Sequence, residues 1–272
     1  MNLENKIAVV TGGAGGIGSA LSHKLADKGA KVVVSDLNLS AAKEVADSIG
    51  GIAVQCNVAD EQSVSDLVKA AEQEFGQVDL FCSNAGFGAG EPSHAASASN
   101  EVWQRNWDVH VMAHVYASRA LLPGMIKRGD GYLLNVASAA GLLSQISDAA
   151  YTVTKHAAVS FAESLAITHV DDGIKVSVVC PQYVNTNILG ISEEQRAKPM
   201  PGVLTAEYCA EVIVEGIEKE QFLITPHPEV RDYMVNRASD PERWLSGMRR
   251  FRQSLINDEG KVDFRRIFTS NQ

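Results

Sequence analysis

A glycine-rich stretch at residues 11–18 constrains the fold of this chain more than any other part of the sequence. A short apolar run at residues 7–10 precedes it, and residues 19–28 have the apolar spacing of a helix that ends at Gly29. A second apolar run at residues 31–35 ends in Asp36. Glycines permit a tight turn and let backbone N–H groups approach a pyrophosphate where a helix begins. This order of elements predicts a dinucleotide-binding unit.

Strands and helices continue to alternate after this unit. We predict further strands at residues 52–56, 78–82, 132–136, 176–180 and 222–225, and helices at residues 61–75, 101–127, 151–170 and 205–219. Apolar strands separated by helices predict an α/β fold with a Rossmann-type, doubly wound parallel sheet of about seven strands flanked by helices.

Polar or turn-forming residues stand where several of these strands end. They are Asp36, Asn57, Asn84, Ser138 and Pro181. In doubly wound sheets, ligands bind beyond the carboxyl ends of the strands. We therefore expect these five residues to meet in one crevice.

Tyr151 and Lys155 stand four residues apart in a predicted helix, thirteen residues after Ser138. Positions i and i+4 lie on one face of a helix, so the two side chains must project together. A nearby ammonium favours the ionised form of a phenol. A hydroxyl at Ser138 would then hold a substrate oxygen beside the Tyr151 phenol.

Composition excludes several classes of protein. A net charge of −9 argues against a surface for nucleic acid or for anionic membranes. The four cysteines are far apart in apolar surroundings without a C-x-x-C pair, so we expect buried, reduced thiols and no metal site. The sequence has no signal-peptide pattern and no apolar stretch long enough to span a membrane, and we expect a cytoplasmic protein.

The motifs together resemble the classical short-chain dehydrogenase/reductase family over roughly residues 5–225. They are Thr11-Gly12-x-x-x-Gly16-x-Gly18, Asn84-Ala85-Gly86, Ser138 and Tyr151-x-x-x-Lys155. The resemblance implies a hydride transfer between a nicotinamide cofactor and a secondary alcohol or ketone. It implies that Tyr151 is the general acid/base and that Ser138 positions the substrate oxygen. Lys155 would lower the pKa of Tyr151 and hold the nicotinamide ribose.

The resemblance also implies a set of cofactor contacts. Gly12, Ala14, Gly16, Ile17 and Gly18 would contact the phosphates. Asp36 would contact the adenosine ribose, and Asn57 and Val58 the adenine. The nicotinamide half would be held by Asn84, Ala85, Gly86, Tyr151 and Lys155 at the ribose and by Pro181, Val184 and Thr186 at the carboxamide. Asp36 would repel a 2′-phosphate. Ala14 and Leu37 stand where NADP-dependent members of the family have a basic residue. NAD is therefore the expected cofactor.

The chain departs from the family pattern at four positions. Asn57 replaces an aspartate, Ser83 replaces the first asparagine of Asn-Asn-Ala-Gly, and Gln182 replaces a glycine. His110 replaces the helix asparagine whose backbone helps to hold a relay water. Two interpretations of His110 stay open: a ring that only packs in the helix, or a member of the proton relay, since its ordinary pKa is about 6.5. His114, one turn later, is interpreted as structural.

The resemblance places the substrate between the loops after the fourth, fifth and sixth strands. The candidate lining residues are Phe87, His94, Leu142, Gln145, Tyr183, Ile188 and Leu189, together with Ser138 and Tyr151. This mostly apolar set favours a hydrophobic or aromatic alcohol or ketone. Residues 187–204 have the composition of a mobile lid.

Two other functions remain open at this stage. An epimerase or dehydratase that retains its cofactor would need an extra acid, for which Asp148 is the candidate. A non-catalytic dinucleotide sensor is the other alternative, although an intact Ser138, Tyr151 and Lys155 argues against it.

The predicted organisation is a single NAD-binding catalytic domain at residues 1–225 and an extension at residues 226–272. In the extension, a predicted helix at residues 241–256 carries Trp244, Met248, Phe251 and Leu255 on one face. A helix this short must dock somewhere, and we expect it to dock on its own or a neighbouring subunit, with a membrane surface as the alternative for a basic amphipathic helix. The resemblance further implies a homodimer or homotetramer that pairs through helices 101–127 and 151–170.

Overall fold

The computed structural model describes residues 1–91, 93–263 and 266–267 of the chain. Seven strands form one parallel sheet, in the order β3-β2-β1-β4-β5-β6-β9. These strands are β1 (Ile7–Thr11), β2 (Lys31–Asp36), β3 (Ile52–Gln55), β4 (Leu80–Ser83), β5 (Gly131–Val136), β6 (Ile174–Val179) and β9 (Leu223–Ile224). The predicted Rossmann-type doubly wound sheet is confirmed, and the strand order reverses between β1 and β4.

Helices cover both faces of the sheet. They are α1 (Gly16–Asp27), α2 (Leu39–Ile49), α3 (Glu61–Phe75), α4 (Asn100–Trp107), α5 (Ala113–Arg128), α6 (Ala149–His169) and α8 (Ala206–Glu218). Alternate residues of β1 point to opposite faces. Ala8 and Val10 join the core under α1 and α8, whereas Ile7 and Val9 join the core under α3, α5 and α6. The apolar strands are therefore buried on both sides.

Helix α2 was absent from the sequence-based prediction, although the signals for it are local. The Asn38 side chain accepts a hydrogen bond from the Ala41 N–H and caps the start of the helix. Gly50 ends it with φ of +66°, in the left-handed region that favours glycine.

The predicted helix at residues 101–127 is divided in the structure. Between α4 and α5, residues Asp108–Met112 form a π-helical turn. A π turn adds a residue to the helical repeat and rotates the side chains that follow. It directs His110 into the interior, where the side chain is fully buried.

The predicted lid is built from short elements. Strands β7 (Tyr183–Val184) and β8 (Val203–Leu204) pair in parallel, and the short helix α7 (Glu193–Arg196) lies between them. Residues Asn187–Leu189 form a single 3-10 turn. The mobility predicted for this segment stays a prediction.

The C-terminal extension contains α9 (Glu229–Ser239), which the sequence-based prediction lacked, and α10 (Pro241–Ser254). Val230, Met234 and Trp244 pack against Ala139 and Leu143, beside the end of β5. No residue within α10 is fully buried. Parts of the predicted extension, residues 264–265 and 268–272, lie outside the described residues.

The described part of the chain contains no helix that is long and apolar enough to cross a membrane. All four cysteines are buried and free, as predicted.

Candidate active site

A cavity of about 850 Å³ opens beyond the carboxyl ends of the strands. It begins at the glycine turn after β1 and extends past Asn84 to Tyr151 and Lys155. Asp36, Ser138 and Pro181 also line it, whereas Asn57 does not. The predicted convergence at the sheet edge thus holds for all of the strand-end residues except Asn57.

Close contacts in the glycine turn require glycine at three positions. Gly12 has φ of +62° and Gly16 has φ of +52°. A Cβ at Gly18 would lie 2.1 Å from the Gly12 carbonyl oxygen, and a Cβ at Gly16 would lie 2.9 Å from Thr186 Cγ2. Larger residues would therefore displace either the turn or the lid.

Thr11 joins the glycine turn to the end of β4. Its hydroxyl donates to the Cys82 carbonyl and accepts from the N–H groups of Asn84 and Ala85. The Asn84 amide donates to the Thr11 and Gly12 carbonyl oxygens at 2.9 and 3.2 Å. No local sequence pattern indicates this role of the Thr11 side chain, because the partners of its hydroxyl lie more than seventy residues away.

Asp36 lies at the end of β2, beside the glycine turn. Its Oδ2 accepts from the Ala14 N–H at 3.1 Å, and its Oδ1 accepts from the Asn38 N–H at 3.0 Å. Each oxygen of a carboxylate has two lone pairs, so both can accept a further hydrogen bond. The carboxylate can therefore hold the turn and a ribose diol at the same time.

Most of the predicted cofactor residues line the cavity. They are Gly12, Gly16, Ile17, Asp36, Asn84, Ala85, Gly86, Tyr151, Lys155, Pro181, Val184 and Thr186. Ala14, Gly18, Leu37, Asn57 and Val58 are not part of the lining. Asn57 Oδ1 instead accepts from the Ala59 N–H in the turn before α3.

Ser138, Tyr151 and Lys155 meet at the inner end of the cavity. Ser138 follows β5, and its hydroxyl, which donates to the Pro181 carbonyl at 3.4 Å, lies close enough to the Tyr151 phenol to lower the pKa of that phenol. Lys155 Nζ lies 5.5 Å from the centre of the Tyr151 ring and donates to the Val136 carbonyl at 3.1 Å. A Cβ at Gly141 would lie 2.5 Å from the Lys155 carbonyl oxygen, so only glycine lets this turn approach α6.

Burial controls the pKa values of Tyr151 and Lys155. It raises the pKa of Tyr151 to about 12, because removing the phenolate from water outweighs the opposite effect of the nearby Ser138 hydroxyl. Burial also lowers the pKa of Lys155 to about 8. The expected lowering of the Tyr151 pKa by Lys155 is thus not seen in the protein alone.

His110 connects three elements around Tyr151. Its Nε2 accepts from the Phe87 N–H at 3.2 Å, so the proton is assigned to Nδ1, which lies 3.2 Å from Thr154 Oγ1. The ring packs against Phe87 and, edge to face, against Tyr151. Burial, together with the charge of Lys155, lowers the pKa of His110 well below 6.5. The imidazole is therefore neutral at physiological pH, with both nitrogens engaged by the protein.

His114 is also buried, and burial lowers its pKa to about 3. A neutral ring enclosed in the core agrees with the structural role predicted for it.

Asp148 caps helix α6 and holds the loop after β4. Its Oδ1 accepts from the Tyr151 N–H at 3.1 Å. Its Oδ2 accepts from the N–H groups of Ala89 and Gly90 at 3.2 and 2.8 Å. Both oxygens of Asp148 are engaged by the backbone and the residue does not line the cavity, so it is not placed to serve as the extra acid of an epimerase or dehydratase.

The predicted substrate residues do not all face the cavity. Ile188 lines it, whereas Gln145 and Tyr183 do not. The Gln145 N–H donates to Thr152 Oγ1, and His94 lies in an exposed turn. Ser138, Tyr151 and Ile188 are thus the predicted substrate residues that line the cavity, whereas Phe87, Leu142 and Leu189 do not.

Comparison with known proteins decides the family. The family model described as short chain dehydrogenase matches residues 6–197. The chain belongs to the short-chain dehydrogenase/reductase family. A cyclohexanol dehydrogenase from Acinetobacter sp. (strain SE19) is 32% identical, over 84% of this chain and 94% of that protein. A 3-oxoacyl-(acyl-carrier-protein) reductase from Vibrio cholerae is 32% identical, over 75% of this chain and 84% of the relative.

Solved structures of short-chain dehydrogenase/reductases have the same fold. One from Burkholderia phymatum, in complex with NAD, is 29% identical with a TM-score of 0.80, over 89% of this chain and 96% of that one. A 3-ketoacyl-(acyl-carrier-protein) reductase from Brucella melitensis, complexed with NADH, is 28% identical with a TM-score of 0.75, over 82% of this chain and 97% of that one. The present protein is therefore an oxidoreductase of this family with a nucleotide-binding fold.

Proposed function

We propose that this short-chain dehydrogenase/reductase transfers a hydride between NAD(H) and a secondary alcohol or ketone, with Tyr151 as the general acid/base. The observation that carries the proposal is the meeting of Ser138, Tyr151 and Lys155 in the cavity that begins at the glycine turn. A phenol and a hydroxyl that line the same end of a cavity can share one substrate oxygen.

In alcohol oxidation, the Tyr151 phenolate takes the proton of the substrate hydroxyl. The hydrogen on the carbon that bears this hydroxyl leaves as a hydride. Bound NAD would supply the acceptor for that hydride. Ser138 Oγ donates to the substrate oxygen and fixes its position. In ketone reduction, the Tyr151 phenol returns the proton to the oxygen. Lys155, when protonated, stabilises the phenolate by its positive charge.

The residues at the phosphate end fit a dinucleotide. Gly15 precedes helix α1 as its N-cap and offers no side-chain cap, and the first turn of the helix has no acidic residue. A Cβ at Gly15 would meet no atom within 4 Å, so a bound group can approach the backbone there. Unpaired N–H groups at a helix N-terminus favour a phosphate.

Asp36 favours NAD over NADP in this proposal. Its carboxylate lines the cavity at the end of β2, where it would accept hydrogen bonds from a ribose diol and repel a 2′-phosphate. Leu37 beside it is 65% exposed and carries no charge that would attract such a phosphate.

The proposed substrate is hydrophobic or aromatic. Ile188 is an apolar part of the cavity lining, and Phe87 packs on His110, whose ring in turn contacts Tyr151. The cyclohexanol dehydrogenase among the relatives supports a cyclic secondary alcohol.

We further propose a homodimer or homotetramer that pairs through α5 and α6. Val153, Ile167 and Val170, in α6 or just after it, are 47%, 79% and 63% exposed, and apolar side chains with such exposure favour an interface. A cytoplasmic location stays a prediction.

A substrate screen tests the proposed function. The purified protein is assayed with secondary alcohols and ketones, each with NAD and with NADP, by following reduced nicotinamide. We expect turnover with NAD and a higher kcat/KM with NAD than with NADP. Turnover only with NADP would contradict the role of Asp36. Binding of NADH without turnover of any compound would favour the sensor.

A further inference from the structure

Arg196, the last residue of α7, brings a positive charge into the cavity, and the proposed reaction does not use this charge. It lines the cavity together with Gly15 and Gly16 of the glycine turn. Its side chain is only 24% exposed. Its Nε is buried and has no hydrogen-bond partner among the described residues. A buried donor of this kind costs free energy until a partner arrives.

The carboxylate near Arg196 does not satisfy it. Glu193 Oε1 lies 3.8 Å from Arg196 Nη2, and the Glu193 side chain is 94% exposed. A pair at this distance in solvent contributes little to stability. The guanidinium therefore retains donors for a ligand.

Two contacts hold Arg196 close to the start of α1. The Asn185 side chain donates to the Arg196 carbonyl oxygen at 2.8 Å. The next residue, Thr186, packs against Gly16 at the first turn of α1. The lid that carries Arg196 is thus attached beside the N–H groups that favour a phosphate.

We propose that Arg196 binds a phosphate oxygen of the dinucleotide's diphosphate and so orders the lid at residues 187–201. The proposal rests on the dinucleotide binding proposed above. A guanidinium presents paired N–H donors that match phosphate oxygens. The diphosphate would then be held from two sides, by the backbone at the start of α1 and by Arg196.

Equilibrium binding tests this role without an activity assay. NADH, ADP-ribose and adenosine are titrated into the wild-type protein and into Arg196→Gln, with Lys198→Gln as the matched control. Lys198 stands two residues further along the same segment and is 69% exposed. We expect Arg196→Gln to bind NADH and ADP-ribose roughly tenfold more weakly, as for the loss of one charge-assisted hydrogen bond. Adenosine, which has no phosphate, should bind the two proteins equally.

Hydrogen exchange of the wild-type protein gives a second measurement that does not depend on the variant's folding. ADP-ribose should slow exchange at residues 187–201, and adenosine should not. Equal ADP-ribose affinity for wild type and Arg196→Gln would overturn the proposal. So would a loss of adenosine affinity in Arg196→Gln as large as its loss of ADP-ribose affinity. A change confined to the KM of the alcohol would also overturn it and place Arg196 at the substrate. A wild-type protein that binds no dinucleotide would instead refute the proposed function.

Discussion

At the residue scale, burial sets the charge of the side chains around Ser138. Lys155 is 3% exposed, and its pKa is lowered to about 8 because the ammonium is removed from water. His110 is neutral for the same reason. The protein thus keeps a cation in an environment that disfavours it, which is typical of functional sites.

Lys155→Met should stabilise the protein while removing its activity. The variant loses the hydrogen bond to the Val136 carbonyl, worth about 1 kcal/mol. It avoids the burial of a charge, which the pKa shift sets at about 3 kcal/mol. We expect a net gain of about 2 kcal/mol in the free energy of unfolding at pH 7, measured by urea denaturation.

The sign of this effect depends on pH. Lys155 has a pKa of about 8 when folded and 10.5 when unfolded, so the wild type pays the full cost below about pH 8. The wild type gains stability between these two values as the folded state releases its proton first. The advantage of Lys155→Met should therefore vanish before about pH 10.5, where the hydrogen bond to the Val136 carbonyl leaves the wild type slightly more stable. An advantage that grows with pH would contradict the burial argument.

His110→Phe tests whether the imidazole positions its neighbours or relays protons. Phenylalanine keeps the stacking on Phe87 but loses both hydrogen bonds of the ring. If His110 acts by position, kcat/KM should fall roughly tenfold while the shape of the pH–rate profile stays unchanged. His94→Asn, in an exposed turn, is the control. A profile that changes shape would support the relay.

Helix spacing predicted the meeting of Tyr151 and Lys155, because positions i and i+4 share a face whatever surrounds them. The direction of the Tyr151 pKa shift could not be predicted. It depends on how far the folded protein removes the phenol from water, which no local sequence pattern encodes.

At the element scale, the start of α6 fixes the position of Tyr151. Asp148 joins this helix end to the loop at residues 89–90. Glu91 strengthens the junction, since its Oε2 accepts from the Ala149 N–H at 3.1 Å. Tyr151, the proposed general acid/base, and the loop after β4 therefore share a support.

Asp148→Asn and Asp148→Ala should differ in stability. Asparagine can still cap Tyr151 but offers one acceptor oxygen, so we expect a loss of about 1 kcal/mol, against about 2 kcal/mol for alanine. Both variants should lower kcat, with alanine the more severe. Thr205→Ala, which removes the cap of α8, should cost similar stability and leave kcat unchanged.

Asp148 as a catalytic acid would give a different pattern. Both variants would then lose activity to the same extent, whatever their stability. Thermal denaturation and initial rates on the same samples distinguish the two outcomes.

Helix α2 and the π turn are missing from the sequence-based prediction for different reasons. Helix α2 has a cap at Asn38 and a terminating Gly50, so local signals were sufficient to find it. The π turn at Asp108–Met112 has no such signal. Apolar periodicity runs through it unbroken, and the contacts of His110 with Phe87 and Thr154 are long-range.

At the scale of the whole molecule, the C-terminal extension supports the site from behind. His227 accepts from the Gln182 N–H through Nδ1 and contacts the Tyr183 carbonyl through Nε2. Arg237 donates to the Leu142 carbonyl in the loop after Ser138. The extension therefore holds the loops after β5 and β6.

Val230→Ala should weaken both stability and activity. Val230 is fully buried on α9 against Ala139 and Leu143, so we expect a loss of about 2 kcal/mol and a higher KM for the alcohol. Val235→Ala, on the same helix and 64% exposed, should change stability by less than about 0.5 kcal/mol. An equal effect of the two substitutions would show that the extension does not support the site.

Strand order was predictable only in outline. The glycine turn and Asp36 placed β1 beside β2, and parallel pairing followed from the helices between the strands. The extension's contacts were not predictable, because Val230 and His227 have partners more than forty residues away.

Tyr151→Phe tests the central claim most directly. The variant removes one hydroxyl and keeps the ring that packs against His110. NADH affinity, measured by titration, should stay within about twofold of wild type, while the rate of alcohol oxidation falls about 100-fold or more. Oxidation by Tyr151→Phe at a rate close to wild type would contradict the account.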